Sequence, residues 1–220
     1  MRRVRPGSLR TTGTNPAPGL LWAAVLAACA LLTVLAWVLL DGPAARWALE
    51  HRDLPPWSSL RGALGPLILI QVLLLLVPPA LALRRGRRVA ASVFLVLLAA
   101  LALSTLTSFI IKRVVLRPRP AALYAAPPGG QIGGSSRHSF PSGDVLVDTA
   151  MVVALWGLLG RRRGWGWLLV VPVAVGAQRF IAAAHFPSDI LAGWTLGAVI
   201  GVLVLRVPAS RTAEEAMTVR

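Results

Sequence analysis

The stretch VAASVFLVLLAALALSTLTSFII, residues 89–111, carries no charged side chain over 23 positions. Arg84, Arg85, Arg87 and Arg88 stand just before it, and Lys112 follows it directly. A helix rises about 1.5 Å per residue, so about 20 apolar residues cross the ~30 Å hydrocarbon core of a bilayer. The run is therefore read as a membrane span. Further apolar segments at 19–40, 64–83, 144–160, 167–186 and 189–207 bring the expected number of spans to six. The segment at 144–160 is the shortest, at the low limit for crossing. Pro78 and Pro79 are expected to end or kink the second segment, because proline lacks the N–H that a helix needs.

Composition points the same way. Of 220 residues, 56% are hydrophobic and 14% charged, against about 25% charged in soluble domains. Mean hydropathy is +0.70. The expected fold is all-α: a polytopic membrane protein of six transmembrane helices, bundled, with no internal repeat and no second domain. A basic amino-terminal tail (1–18) and a tail at 208–220 flank the six-helix domain at 19–207. Cys29 is the only cysteine, which excludes an intramolecular disulfide and a thiolate metal cluster. It ends the lipoprotein-like LAAC (26–29). The apolar run continues through Leu40, however, beyond the roughly 7–15 residues of a cleaved signal core.

The net charge of +15 raises nucleic-acid binding as a possibility. The distribution of the charge excludes it, because the arginines cluster in short loops beside apolar runs, where they set orientation. With the amino terminus in the cytoplasm, that side holds 14 basic and two acidic residues, and the opposite side nine and six. Both termini are therefore expected to be cytoplasmic, with loops 41–63, 112–143 and 186–188 facing outward. Lys112, Arg113, Arg117, Arg119 and Arg137 crowd one outer loop against this rule. An anionic partner accounts for them.

Three polar clusters fall at the outer ends of the segments: KRVVLRPRP (112–120), HSFPSGD (138–144) and QRFIAAAHFPSD (178–189). Lys112 is the only lysine among 23 basic residues, a compact point charge suited to phosphate. Ser142 is placed to cap the fourth helix, and Gly143 lets backbone N–H groups approach a ligand. A helix amino terminus favours anions. Arg179 lies in an apolar span, where a charge is costly and commonly functional. His185, four residues before Asp189, has the arrangement of an oriented nucleophile or base, since a carboxylate fixes the ring's tautomer.

With Lys112 and Arg119-Pro120, then Pro141-Ser142-Gly143, then Arg179, His185 and Asp189, the chain resembles the type 2 phosphatidic acid phosphatase family. These are membrane lipid phosphate phosphatases related to the vanadium haloperoxidases. Their signature is Lys, six residues, Arg-Pro; Pro-Ser-Gly-His; and Ser-Arg, five residues, His, three residues, Asp. The resemblance implies a metal-independent phosphohydrolase without a cofactor, working through a phosphohistidine. His185 would attack phosphorus and Asp189 would hold and polarise it. Lys112, Arg119, Arg179, Ser142 and the Gly143 amide would bind the phosphoryl oxygens.

Two positions depart from that signature. Gln178 stands where the family has serine. Asp144 stands where the family has the histidine that protonates the leaving group, so Asp144 is the expected but weakened catalytic acid. Near arginines and a helix amino terminus it should stay ionised. Asp148 lies one turn further along the same face and can share a proton with it. His138 is a second candidate acid. A weak acid matters least when the leaving group is good, which favours a lipid diphosphate, such as undecaprenyl diphosphate, over phosphatidic acid or phosphatidylglycerol phosphate.

The expected protein is thus a phosphatase of the bacterial cytoplasmic membrane, acting on a membrane lipid phosphate at the outer face. The alternatives are a catalytically silent lipid-phosphate-binding protein and a lipid phosphotransferase. A transporter fits less well, because the polar groups gather at one face rather than at mid-membrane.

Overall fold

The computed structural model describes residues 18–63, 67–124, 137–160 and 163–206. The two expected tails lie outside the described residues, apart from Pro18. Every regular element among the described residues is helical. Helix α1 (Pro18–Leu35) passes through a π-helical stretch (Ala36–Leu40) directly into α2 (Asp41–His51). Then follow α3 (Trp57–Ala63), α4 (Leu67–Ala82), α5 (Arg87–Val115), α6 (Pro120–Tyr124), α7 (Gly143–Leu158), α8 (Val170–Ile181) and α9 (Pro187–Val204).

Among the described residues, four helical stretches are long and apolar enough to cross a membrane: Trp22–His51, Arg87–Tyr124, Gly164–Ile181 and Pro187–Val204. The other two apolar segments form α4 and α7, of 16 residues each, shorter than a span requires. Hydrophobic length alone made six spans. Among the described residues four helices reach that length, and α4 and α7 are shorter and packed among them. Two local expectations also change. Part of the stretch read as an outer loop at 41–63 is helical, since Ala44, Ala45, Arg46, Ala48, Leu49 and Glu50 are strong helix formers. Helix α4 also runs on through Pro78 and Pro79 to Ala82. Prolines near a helix end remove only the bonds to the preceding turn, and packing in an apolar bundle sustains the rest.

The core explains why α7 can be short. Twelve of its 16 residues are buried, because α9, α5, α8 and α4 pack around it. Leu146, Met151 and Leu158 are fully enclosed, against Val93, Leu97 and Ala100 of α5. Outward-facing positions on the surrounding helices are apolar as well, among them Leu32, Val38, Leu76, Leu106, Phe109 and Val170. Such a surface has no reason to face water, and it matches hydrocarbon.

Between apolar helices in lipid, close packing of small residues replaces the hydrophobic drive. Helix α9 presents Gly193, Gly197 and Gly201, one per turn, to α7. A Cβ added at Gly197 would lie 2.7 Å from Thr149 Cβ, one at Gly201 would lie 2.7 Å from Val153 Cβ, and one at Gly193 would lie 3.0 Å from the Ser142 carbonyl oxygen. Asp189 continues this face one turn nearer the helix start. The glycine seam therefore brings Asp189 to the beginning of α7, where its carbonyl accepts the Ser142 N–H at 3.0 Å. Replacement of Gly197 by valine is expected to push the two helices apart and to destabilise the protein by at least about 1–3 kcal/mol. Thermal unfolding in detergent measures it; an unchanged midpoint would mean that the seam does not set the helix spacing.

Candidate functional site

The carboxyl-terminal end of α5 supplies the first cation. Lys112 stands in its last turn, and Leu116, in the left-handed region at φ 47°, closes the helix by donating its N–H to the Lys112 carbonyl. The chain then turns into Arg117-Pro118-Arg119-Pro120. Ser108 and Lys112, one turn apart, lie against the first residue of α7. A Cβ at Gly143 would sit 3.0 Å from Ser108 Oγ and 3.1 Å from Lys112 Nζ. Glycine is what lets an ammonium approach the amino terminus of α7 this closely. Lys112, Arg119 and Arg179 are near enough to feel one another's charge, together with Asp144 and Asp189. Three cations beside one helix amino terminus form an anion site.

The turn between α8 and α9 supplies the second part. Helix α8 ends at a residue in the left-handed region, Ala183 (φ 49°), and the Ala184 N–H donates to the Arg179 carbonyl at 3.1 Å. This tight turn carries His185 into the protein, where it is 3% exposed. Its Nδ1 lies 3.5 Å from Asp189 Oδ2, with no closer hydrogen-bond acceptor. That separation is at the long limit of a hydrogen bond, yet it leaves only one direction for an Nδ1 proton. With the proton there, Nε2 keeps its lone pair. Burial pushes the imidazole below its usual 6.5, Asp189 pulls it back upward, and Arg119 and Lys112 add to the lowering. A neutral ring is the form that can act as a nucleophile.

Asp189 is fully buried. Its Oδ2 accepts the Phe186 N–H at 2.9 Å and the Ser139 hydroxyl, while its Oδ1 accepts Arg117 Nη1 at 2.7 Å. These donors fix the carboxylate in its charged form and in one orientation. The guanidinium of Arg117 is itself held on every side. Its Nη2 pairs with the buried Asp41 carboxylate, its Nη1 also donates to Ser188 Oγ at 2.6 Å, and its Cζ lies 3.8 Å and 4.0 Å from the ring centres of Trp37 and Phe186. Asp41 in turn accepts the Ser188 N–H at 3.0 Å and the Ser188 hydroxyl.

Asp144 stands in the first turn of α7 and forms an ion pair with Arg179, Oδ2 to Nη2 at 2.6 Å. A carboxylate so paired accepts hydrogen bonds and donates none. Ser142 occupies the N-cap position of α7, but its side chain makes no capping bond, and its Oγ is buried without a partner. The expected serine cap is thus a cap by position only. The Nε atoms of Arg119 and Arg179 are likewise buried without partners. His138, the second candidate acid, is half-buried directly before Ser139. Gln178, in the position of the family's serine, is buried with its Oε1 unpaired.

The structure thus brings Lys112, Arg119, Ser142, Gly143, Asp144, Arg179, His185 and Asp189 to one end of the bundle. Sequence reasoning missed Asp41, Ser139 and Ser188 and took Arg117 only as one of five crowded cations. Asp41 had left one signal: it is an acid directly after a long apolar run, where a charge calls for a partner. The described residues bring together no group of three or more His, Cys, Asp or Glu able to hold a metal ion.

Comparison with known proteins agrees with this geometry. The chain is 32% identical over 102 residues to decaprenylphosphoryl-5-phosphoribose phosphatase of Mycobacterium tuberculosis, covering 46% of this chain and 54% of that protein. It is 33% identical over 75 residues to undecaprenyl-diphosphatase of Sulfolobus acidocaldarius, covering 33% and 35%. It is 33% identical over 105 residues to human glucose-6-phosphatase 3, covering 42% and 29%. The chain thus spans about half, or less, of the length of these curated relatives. Residues 93–213, more than half of the chain and holding all three motifs, match the PAP2 superfamily, and the chain belongs to that superfamily.

Proposed function

We propose that this protein is an integral membrane phosphatase acting on lipid phosphates or diphosphates through a phosphohistidine on His185. The observation that carries the reading is the state of His185. Its Nδ1 faces Asp189, whose own oxygens are bound by Arg117, Ser139 and the Phe186 N–H. The free Nε2 then belongs to a neutral, oriented ring beside Lys112 and Arg119, the two cations that act on it. In this mechanism Nε2 attacks phosphorus, the imidazolium that forms is stabilised by Asp189, and water hydrolyses the phosphohistidine. Lys112, Arg119, Arg179, Ser142 and the Gly143 N–H bind the phosphoryl oxygens as charge spreads over them, which is the main task in phosphoryl transfer. Six membrane crossings, cytoplasmic termini, an outward-facing site and a bacterial cytoplasmic membrane remain part of this reading, on the charge distribution along the chain.

For the substrate class we infer a polyprenyl-linked phosphate. Two of the relatives named above are, by their names, phosphatases of polyprenyl compounds. A diphosphate is favoured because its leaving group needs the least protonation from Asp144, which Arg179 holds as an anion. That same ion pair is the observation in favour of a silent lipid-phosphate binder. Phosphate release by the purified protein from undecaprenyl diphosphate in detergent distinguishes the two.

His185→Ala is expected to abolish turnover with circular dichroism unchanged. Residual activity above about a tenth of the parent removes His185 from the nucleophile role, because losses of a nucleophile are usually far larger.

The acid limb of kcat/KM should lie below the ordinary histidine value of 6.5, since burial lowers the proton affinity of His185. Protonation blocks the nucleophile, so activity persists as the pH falls through 6.5 and is lost only further down. A limb at or above 6.5 that disappears in no histidine variant would contradict the assignment.

Activity is also expected to survive excess chelator. Its full loss, with recovery on adding back one divalent metal, would overturn the metal-independent mechanism.

A further inference from the structure

Asp148 takes no part in the site as described so far, and it is a poorly accommodated acid. It is fully buried in α7, and both carboxylate oxygens lack a hydrogen-bond partner. The charged and polar groups facing it are Asp144 on its own helix, Gln71 on α4 and Arg179 on α8. On α5, the Ser104 hydroxyl is also buried without a partner, one turn below the Ser108 that touches Gly143. An ionised carboxylate left unpaired in an apolar interior costs many kcal/mol, and the group takes up a proton instead. Asp144, one turn outward, has the opposite environment: it is half-buried and paired with Arg179 at 2.6 Å. Two carboxyls in one helix therefore hold one proton between them, on the inner member.

We propose that Asp148 stores the proton for leaving-group departure and passes it to Asp144 when a substrate phosphoryl group takes over Arg179. This rests on the phosphatase reading above. In the resting site Arg179 holds Asp144 as an anion. A bound phosphoryl oxygen competes for the same Nη2, and Asp144 then faces a second anion without its counter-charge. The proton then moves from Asp148 to Asp144 across one helical turn, the spacing at which side chains meet, and the charge left on Asp148 faces Gln71 and Arg179, whose Nε has no hydrogen-bond partner.

The steps balance. His185 Nε2 forms the P–N bond as the bond from phosphorus to the leaving oxygen breaks, and the Asp144 proton goes to that oxygen. In the second half, water attacks phosphorus and the P–N bond breaks. The proton lost by water returns through Asp144 to Asp148, and inorganic phosphate leaves. Asp148 never touches the substrate, so it is a positioning residue for the proton, and Asp144 is the group that donates it. A proton delivered only on phosphoryl binding also explains how an aspartate can serve beside an arginine that keeps it ionised at rest.

The test is Asp148→Asn in the full-length protein, which keeps the side chain's shape and removes the transferable proton. Turnover is compared on an alkyl monophosphate, whose leaving group needs a proton, and on 4-nitrophenyl phosphate, whose leaving group does not. The ratio of alkyl to nitrophenyl turnover is expected to fall by about 10²–10⁴-fold, the range typical of acid catalysis. Equal losses on both substrates, or none on either, would overturn the proposal, because a merely structural role leaves the ratio unmoved.

Infrared spectroscopy gives a readout that does not depend on activity. The parent should show a protonated-carboxyl carbonyl band at neutral pH that is missing in Asp148→Asn, and added inorganic phosphate should shift that band. No such band, or a band that phosphate leaves in place, overturns the proton store or the hand-off. If the parent hydrolyses no phosphate ester, the phosphatase reading falls, and the infrared result still decides the state of Asp148.

Discussion

The guanidinium of Arg117 lies between the rings of Trp37 and Phe186 and binds two buried carboxylates, Asp41 and Asp189. Each contact joins a different part of the chain: the first long helix, the turn before α9, and the segment after α5. Removing a charge from water costs several kcal/mol, recovered here only because both acids, two rings and the Ser188 hydroxyl satisfy it together. The arrangement is therefore intolerant of partial assembly. If α1 separates, Arg117 loses Asp41 and one ring, and the orientation of Asp189 loosens. Since Asp189 is what faces His185, the imidazole is positioned through a chain of contacts that begins in the first helix.

Around this anchor the site divides its charges. Asp189 is committed to Arg117 through its hydrogen bonds, and it acts on Lys112 and Arg119 only as a nearby charge. Among the described residues neither of those two cations forms an ion pair, and Arg119 Nε is buried without a partner, so both are left for an anion. Arg179 is the exception, because Asp144 already occupies one of its nitrogens. An incoming phosphoryl group thus meets two open cations and one that must exchange partners. The cost of that exchange falls on the bound ground state and the transition state alike, so it weakens substrate binding without itself lowering the barrier.

Much of the site was legible from the sequence because its members recur at short, fixed intervals. Arg179, His185 and Asp189 sit on one turn and its flanking helices, and Lys112 and Arg119 on another, so spacing alone implied neighbours. The partners of Arg117 were not legible in this way. Asp189 is 72 residues away and Asp41 is 76, and no local pattern joins them. The all-helical architecture followed from the long uncharged runs. The helix lengths did not, because hydropathy cannot tell a helix surrounded by lipid from one surrounded by other helices, and α7 is enclosed by its neighbours. Ser142 misled for a related cause: cap preference describes a residue type, whereas the side chain here is enclosed where its helix meets α5 and α9.

The enclosure of α7 also bears on how such a chain is made. At 16 residues, with Asp144 and Asp148 among them, α7 is poorly suited to partition into a bilayer on its own. Its neighbours, α5 before it and α9 after it, are long and apolar enough to do so. Helix α7 is therefore a passenger, held in place by protein rather than by lipid. Its final seat exists only once α9, synthesised later, has arrived to close the glycine seam. Until then the membrane insertion machinery must shelter two aspartates, and the arrival of α9 completes the site.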